Sequence, residues 1–396
     1  MLFDNHKYLL YNKIKNVMVN DMKKVVVVGG GAAGVFFAIH FKISNPKVEV
    51  EILEQNDRLL KKLLKTGNGK CNIMTTDVGR VFYNDFSLIE NNYLRYDIDS
   101  KFEEIGILLK SDFSGRVYPY SESAKTVVNI LLDNINKYGI KVRCNYEVIN
   151  VKKENDVFII NNDIKCDYLV FSTGSKAQEK TNGYDILKTL GHKVVDIRPG
   201  LVPLYTVENT EPLKGIRWKC DVKAKGRLKT GEVQFRDKGL SGIVIMDYSN
   251  ILNDGDEIVL DLTPEITAYN LKYLVSQRGI DTLLNVFPKM LKKEILKRAG
   301  NDEVKIQEVI KNFKYTISGR RGFDEAQICL GGIQTSNVNK MFESKKCENL
   351  YIVGEVLDVS GATGGYNLYF AWLSGYVACV DITYKLKSKN NKKIDK

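Results

Sequence analysis

The seven cysteines stand at 71, 144, 166, 220, 329, 347 and 379, an odd number with no C-x-x-C pair among them. That pattern excludes a disulfide framework and a zinc-ribbon site. There are only three histidines, His6, His40 and His192, too few for a His-based metal centre, so no metal ligand set is expected. No apolar run approaches the roughly 20 residues needed to cross a bilayer. The N-terminus lacks the basic, apolar and small-residue order of a signal peptide. These absences point to a cytoplasmic protein with no membrane partner. Neither an internal repeat nor a low-complexity linker interrupts the chain, and nothing in the pattern specifies an oligomeric state.

What is present is ordinary globular composition, 44% hydrophobic and 27% charged, over 396 residues. That length suffices for two domains with sizeable cores. The net charge of +11 is concentrated at the ends. Residues 385–396 carry six Lys against one Asp, and residues 1–24 carry five Lys against two Asp. Eight of the eleven net charges therefore lie in terminal segments, and a basic end is more often a solvated tail than a binding arm. This distribution does not argue for a nucleic-acid partner. Residues 1–21 read as a disordered extension ahead of Met22, and 385–396 as a disordered basic tail.

The densest signal begins at 23, in KKVVVVGGGAAGVFFAIH, followed by VEVEILEQ from 48 to 55. Four valines make a short strand buried on both faces. Gly29, Gly31 and Gly34 follow at G-x-G-x-x-G spacing, an apolar helix opens behind them, and a second strand ends on Glu54. This is the pattern of a dinucleotide-binding βαβ unit. Gly29 permits the turn, Gly31 admits a pyrophosphate close to the backbone, and Gly34 lets helix and strand pack. The helix N-terminus offers N–H groups and partial positive charge to the phosphates. Glu54 stands where a carboxylate accepts ribose hydroxyls, and its charge disfavours a 2′-phosphate. NAD and FAD both remain open at this point.

Further along, residues 57–76 (DRLLKKLLKTGNGKCNIMTT) form a glycine-loosened polar loop with Lys61, Lys62, Lys65 and Lys70 around a T-G-N-G turn. An amphipathic helix follows, with Ser121 or Ser123 as N-cap, Gly139 as stop, and Val127, Ile130, Leu131, Ile135 and Tyr138 on one face. From 201 to about 261 glycine-punctuated runs suggest a compact β module, and 264–313 reads as helical. Near the end, a strand at 350–353 runs into Gly354-Glu355, then Gly361-Ala362-Thr363-Gly364-Gly365, then a helix from Tyr366 and Asn367. A second strand–turn–helix of this kind favours FAD. The acid bonds a ribityl chain, and the helix dipole faces the pyrimidine edge of a flavin, where negative charge develops on reduction.

With these motifs in order, the chain resembles the aminoacetone-oxidase-like family of NAD(P)/FAD-dependent flavoproteins, a group that includes reductases of conjugated double bonds in dehydro-bile acids. The resemblance runs from about 23 to 381. It rests on GGGAAG (29–34), KLLKTGNGKCN (62–72), GRVYP (115–119), STG (172–174), LVPL (201–204), GLSG (239–242), GGI (331–333), ESK (343–345) and GEVLDVSGATGGYNLYFAWLSG (354–375).

The resemblance implies an α/β fold: a discontinuous Rossmann-like FAD-binding domain (22–198 and 326–384) with an inserted β-barrel-plus-helical domain (199–325). It implies non-covalent FAD, with Gly29, Gly31, Ala33, Gly34 and Glu54 on the ADP half and Thr173 and Gly174 on the adenosine side. Lys62, Gly67, Asn68, Gly69, Lys70 and Cys71 would line the loop near the ribityl chain and ring. Gly354, Glu355, Gly364, Gly365, Tyr366 and Asn367 would contact ribityl and isoalloxazine. Three departures stand out: Leu60 where the family often has Gly, Lys70 where it usually has Arg, and a short 175–185 loop.

The expected chemistry is hydride transfer from NAD(P)H, a transient co-substrate, through the flavin to an electron-poor C=C bond of a small hydrophobic substrate. Only one complete dinucleotide fingerprint is present, and FAD would fill it. Proton-donor candidates are Tyr366 and Tyr184, then His192, each with a packing role as the competing reading. Cys71 reads as a packing residue rather than a redox thiol. Alternatives are a flavin oxidase of an amine or similar small molecule, and a non-catalytic or RNA-associated flavoprotein.

Overall fold

The computed structural model describes residues 23–394, with side chains through 388. The extension expected at 1–21 lies outside the described residues. Two units emerge. The first comprises the chain up to Ser175, Lys180–Ile197, and everything from Gly331; the second comprises Lys176–Glu179 and Arg198–Leu330.

At the centre of the first unit is a five-stranded parallel sheet. Lys24–Val28 lies in its middle, flanked by Glu49–Leu53 and then Lys141–Arg143 on one side. Tyr168–Phe171 and then Leu350–Ile352 flank it on the other. The register runs Val25 to Tyr168 and Val28 to Phe171 across one edge, and Val28 to Leu53 across the other. Such a sheet is buried on both faces, which is why the strands read as unbroken Val, Ile and Leu rather than alternating. The chain grows outward from Lys24–Val28 in one direction, then returns to start on its other side. That reversal creates a crevice at the C-terminal strand ends, the usual ligand position in doubly wound sheets.

The helix Ala32–Ser44 and the helix Tyr366–Ile394 pack against each other through small residues. A Cβ on Gly375 would meet the Ala33 carbonyl oxygen at 2.5 Å, so only glycine allows this approach. Nearby, Phe36, Phe102 and Trp372 form a mutual aromatic cluster, and the Trp372 indole N–H donates to the Ile73 carbonyl at 3.0 Å. The amphipathic helix is Ala124–Lys137, capped by Ser123, whose hydroxyl accepts from the Thr126 N–H. Tyr366–Ile394 continues as helix through most of the stretch read from sequence as a disordered tail. Lysine is a good helix former and suits a helix C-terminus, so the basic residues extend an already anchored helix.

In the second unit a closed barrel of six strands runs in the order Leu204–Thr206, Gly239–Ser241, Arg227–Arg236, Arg217–Ala224, Glu257–Asp261, Phe313–Arg320. Its pairings are antiparallel. Side chains alternate, with Cys220, Val222 and Ala224 inward from one strand and Phe313, Tyr315 and Ile317 from another. Four helices, Ala268–Arg278, Ile280–Leu284, Lys289–Ala299 and Glu303–Lys311, are threaded between the fifth and last strands. The β-then-helical reading of this region holds, but the closing strand comes after the helices.

One buried group couples the first unit's stability to pH. His40 lies inside the packed helix layer, edge-on to Phe36 and Tyr376. Burial, helped by the nearby Lys101 charge, pushes its imidazole down from 6.5 to about 3. A Glu104 oxygen stands 3.8 Å away, which would favour the charged form, but Lys101 engages that carboxylate and burial wins. The neutral ring is the folded form, so the unfolded chain takes up a proton first. Stability contributed here is complete above about 6.5 and is lost as pH falls toward 3, by up to roughly 1.4 kcal/mol per pH unit. Denaturant titrations from pH 7 to pH 4 are expected to show a shallower acid decline in His40→Gln than in the native chain.

Candidate functional site

The crevice at the sheet reversal is built by two chain turns in contact. After Val28 the chain turns at Gly29, with φ of 102°, and its N–H donates to the Leu53 carbonyl at 2.8 Å. A Cβ on Gly29 would meet the Ser172 carbonyl oxygen at 2.4 Å, and one on Gly34 would meet the Gly29 oxygen at 2.3 Å. Ser172 closes the arrangement: its hydroxyl stands 3.0 Å from the Val28 carbonyl oxygen and 2.8 Å from that of Gly29. Gly29 and Gly34 are thus demanded by packing. Gly31 is different. It caps the helix in extended conformation, and nothing lies within 4 Å of where its Cβ would be. That open space beside a helix N-terminus is where an anionic group fits.

Glu54 does more than the sequence suggests. One carboxylate oxygen accepts the Gly30 N–H at 2.7 Å, and the other accepts the backbone and side-chain N–H groups of Asn56 at 2.8 Å each. An ionised carboxylate has about four lone-pair sites, so capacity for a hydroxyl remains. Gly30, absent from the fingerprint reading, is held here, and its Cβ would strike Leu59 at 2.2 Å. Across the crevice the Thr173 hydroxyl is buried with no hydrogen-bond partner among the described residues, and Gly174 is open with φ of 67°. An open glycine, an orphaned buried hydroxyl and a spare carboxylate lone pair fit the ADP portion of a dinucleotide.

Ala33 is a packing residue: a Cβ on Gly354 would approach its side chain to 2.9 Å. Gly354 itself donates its N–H to the Ser374 hydroxyl at 2.9 Å, pinning the turn to the C-terminal helix. The neighbouring carboxylate, Glu355, is half-buried and lies 3.0 Å from the Lys62 ammonium. Sequence placed both residues near a ribityl chain without pairing them.

The 57–72 loop carries Lys62 in an unusual backbone. Leu60, Gly67, Asn68, Gly69 and Cys71 all have positive φ. Leu60, at 59°, adopts the left-handed conformation that explains glycine there in the related family. A leucine costs roughly 1–2 kcal/mol in that region. Its side chain is only 2% exposed, and such burial returns about 1.5–3 kcal/mol. Cys71 is fully buried, and burial pushes its thiol up to about 11, so it packs and does not line an open surface. Lys70 is exposed and paired with Glu122 at 2.9 Å.

Asn367 was expected to touch a ring. Instead its side chain clamps the preceding turn: the amide oxygen accepts the Gly361 N–H at 2.7 Å, and the amide N–H groups donate to the Gly361 and Ala362 carbonyls at 3.0 and 3.2 Å. Gly364 and Gly365 have φ of 117° and 103°, and a Cβ on Gly365 would meet the Met74 oxygen at 2.4 Å. Tyr366 stacks on Phe82 at 4.6 Å, and the Tyr83 hydroxyl donates to the Tyr366 carbonyl at 2.9 Å. These contacts aim the N-terminus of the long helix.

Of the proton-donor candidates, Tyr184 and His192 are in the core. His192 uses both ring nitrogens, at 2.9 Å from the Leu187 carbonyl and 2.8 Å from the Ser344 hydroxyl, and burial lowers its affinity for a second proton. Tyr366 alone stands at the crevice end of a helix. Among the described residues no cluster of His, Cys, Asp and Glu could hold a metal, and no helix is long and apolar enough to cross a membrane.

The signature of the HI0933-like protein Rossmann domain matches residues 23–381. The chain belongs to that family. HI0933-like proteins are FAD/NAD(P)-binding flavoproteins, and this one is a flavoprotein oxidoreductase with a Rossmann FAD domain. It is 30% identical to the 3-dehydro-bile acid delta(4,6)-reductase of Clostridium scindens, covering 90% of this chain and 98% of that protein. It is 27% identical to the ribosomal RNA dihydrouridine synthase of Haemophilus influenzae, with 90% and 98% coverage. An open-conformation flavocytochrome c3 fumarate reductase superposes with a TM-score of 0.48 at 15% identity, covering 94% of this chain and 81% of that one. A likeness at that level says nothing of chemistry.

Two substitutions separate packing from binding. Gly31→Ala is expected to leave the thermal midpoint of the flavin-free protein unchanged while weakening FAD at least tenfold, read by fluorescence titration. Gly34→Ala forces overlap with backbone and is expected to cost about 1–3 kcal/mol of stability with or without FAD. Asn367→Ala removes all three clamp hydrogen bonds. A loss of about 1–3 kcal/mol is expected in denaturant melts, together with faster FAD release.

Proposed function

We propose that this HI0933-like protein is an FAD-dependent reductase that draws electrons from NAD(P)H and adds two hydrogens across a conjugated ring C=C bond. A small hydrophobic compound is the preferred substrate. The observation that carries the proposal is the convergence of two strand–turn–helix units on one sheet. Lys24–Val28 and Leu350–Ile352 flank Tyr168–Phe171, and each leads through a glycine turn toward a helix N-terminus. A single such unit serves any dinucleotide; the pair suits a flavin.

FAD, when bound, would supply a centre that accepts and donates hydride. The protein's part is binding and orientation. Gly29 and Gly31 bring the Ala32–Ser44 helix N-terminus to the pyrophosphate, where its dipole and N–H groups offset charge. Glu54 holds the ribose while fixing Gly30 and Asn56, and Thr173 and Gly174 border the adenosine. Lys62 locates Glu355 toward the ribityl chain. Gly364, Gly365 and Tyr366, steadied by Asn367, present the second helix N-terminus to the pyrimidine edge.

The reaction class draws support from the relatives. Both printed activities, a delta(4,6)-reductase and a dihydrouridine synthase, saturate ring double bonds. The hydrophobic preference follows the bile-acid likeness, at the higher identity of the two.

The purified protein is expected to show a flavin visible spectrum that bleaches on anaerobic addition of NADH or NADPH, the faster donor naming the physiological one. A flavin that stays oxidised with both would overturn the nicotinamide step and favour an oxidase. A colourless protein that cannot be reconstituted with FAD would overturn the cofactor assignment.

A further inference from the structure

The second unit looks electrically unremarkable until its charges are located. Residues 198–330 hold 22 Lys and Arg against 18 Asp and Glu. Seven of those cations and only two of the acids fall within 268–299, so the rest of the stretch is close to neutral. The positive charge sits on the helices inserted before the last barrel strand.

The outermost of these features is the helix Ala268–Arg278. It buries only Leu271 and Val275, four apart on one face. At 100° per residue, the opposite direction is occupied by Tyr269, Tyr273, Lys272 and Ser276. Tyr269 is 79% exposed and Tyr273 59%. Two tyrosines at i and i+4 are neighbours on a helix surface, so the rings share one patch. No salt bridge engages Lys272 or Arg278 among the described residues, whereas Lys219, Lys311 and Lys314 of the same unit each hold a carboxylate. Arg298, by contrast, is spent internally, lying 3.9 Å over the Phe313 ring and bonded to Glu294.

We infer that this face binds single-stranded nucleic acid. A partner must offer negative charge to the uncompensated cations and flat, partly apolar surfaces to the tyrosines. An unpaired strand offers both at once, phosphates alternating with exposed base faces. A duplex offers phosphate without base faces. An acidic protein surface supplies charge but no regular stacking partner. A membrane-seeking helix would turn Leu, Phe or Trp outward, where this one turns Tyr, Lys and Ser. The surface lies wholly within the second unit, so binding here is independent of whether FAD is bound or reduced.

The test is fluorescence anisotropy of a labelled, mixed-sequence single-stranded oligoribonucleotide with the full chain. The native protein is expected to bind it and to lose affinity as salt rises. Tyr269→Ala with Tyr273→Ala should weaken binding tenfold or more, since each stacked base contributes on the order of 1–3 kcal/mol. Tyr269→Phe with Tyr273→Phe should retain binding, because the rings remain. Lys272→Ala with Arg278→Ala should reduce the salt slope by roughly 0.7 for each phosphate contact removed. Circular dichroism confirms that each variant is folded. Four results would each overturn the assignment. They are absence of binding at low salt, undiminished binding by the Tyr→Ala pair, equal affinity for a duplex, and a change of sedimentation in the Tyr→Ala pair showing that the face joins two copies of the chain.

Discussion

Everything at the candidate site depends on how closely the turn after Val28 lies against the end of Tyr168–Phe171. The Gly29 backbone sits where any Cβ would overlap the Ser172 carbonyl, and Ser172 in turn lies against the Val28 and Gly29 oxygens. This contact fixes the start of Ala32–Ser44 relative to the sheet. It also fixes Thr173 and Gly174 opposite Gly31, so both walls of the crevice come from one packing event. Gly34 lets the helix follow the turn inward, and Gly375 lets the C-terminal helix follow Ala33. A chain of close approaches, each permitted by a missing side chain, thereby sets where both helix N-termini point.

That economy explains why so many residues near the crevice do not touch a ligand. Asn367, Ser374, Ser172 and the carboxylate of Glu54 spend most of their hydrogen bonds on the protein's own turns. A helix N-terminus binds an anion only if its free N–H groups are held at a fixed angle, and polar clamps on the preceding glycines supply that rigidity at modest cost. Leu60 shows the opposite solution. A left-handed backbone that glycine would adopt freely is stabilised in this chain by burying a side chain of compensating size.

The parts legible in the sequence were those where one residue type has one physical task. Four valines before a glycine could only be a buried strand, and Ser123 before an apolar period could only start a helix. The G-x-G-x-x-G spacing located the crevice but not the division of labour inside it. Gly31 and Gly34 look identical in sequence, yet one faces open space and the other faces backbone. Ala33 and Asn367 sit in the right motifs and perform packing, because motif position reports proximity rather than direction. The Lys62 to Glu355 pair spans most of the chain and leaves no local periodicity to read. The barrel's closing strand was hidden for a similar reason: its partner strands precede four helices, and antiparallel closure is a long-range fact.

Charge was the property most easily misread, since net values average over surfaces that act separately. The insertion is nearly balanced as a whole and unbalanced where its helices are. Electrostatic attraction between exposed groups fades over about a Debye length, roughly 8–10 Å, so a partner senses the local cluster and not the sum. The cations around Tyr269 and Tyr273 therefore act as a positive surface even though acids elsewhere in the same unit offset them on paper. Burial works the same way on His40, whose protonation is set by the rings around it and not by the basic character of the chain. In both cases the relevant dielectric and the relevant neighbours are created by folding, which is why composition alone could not report them.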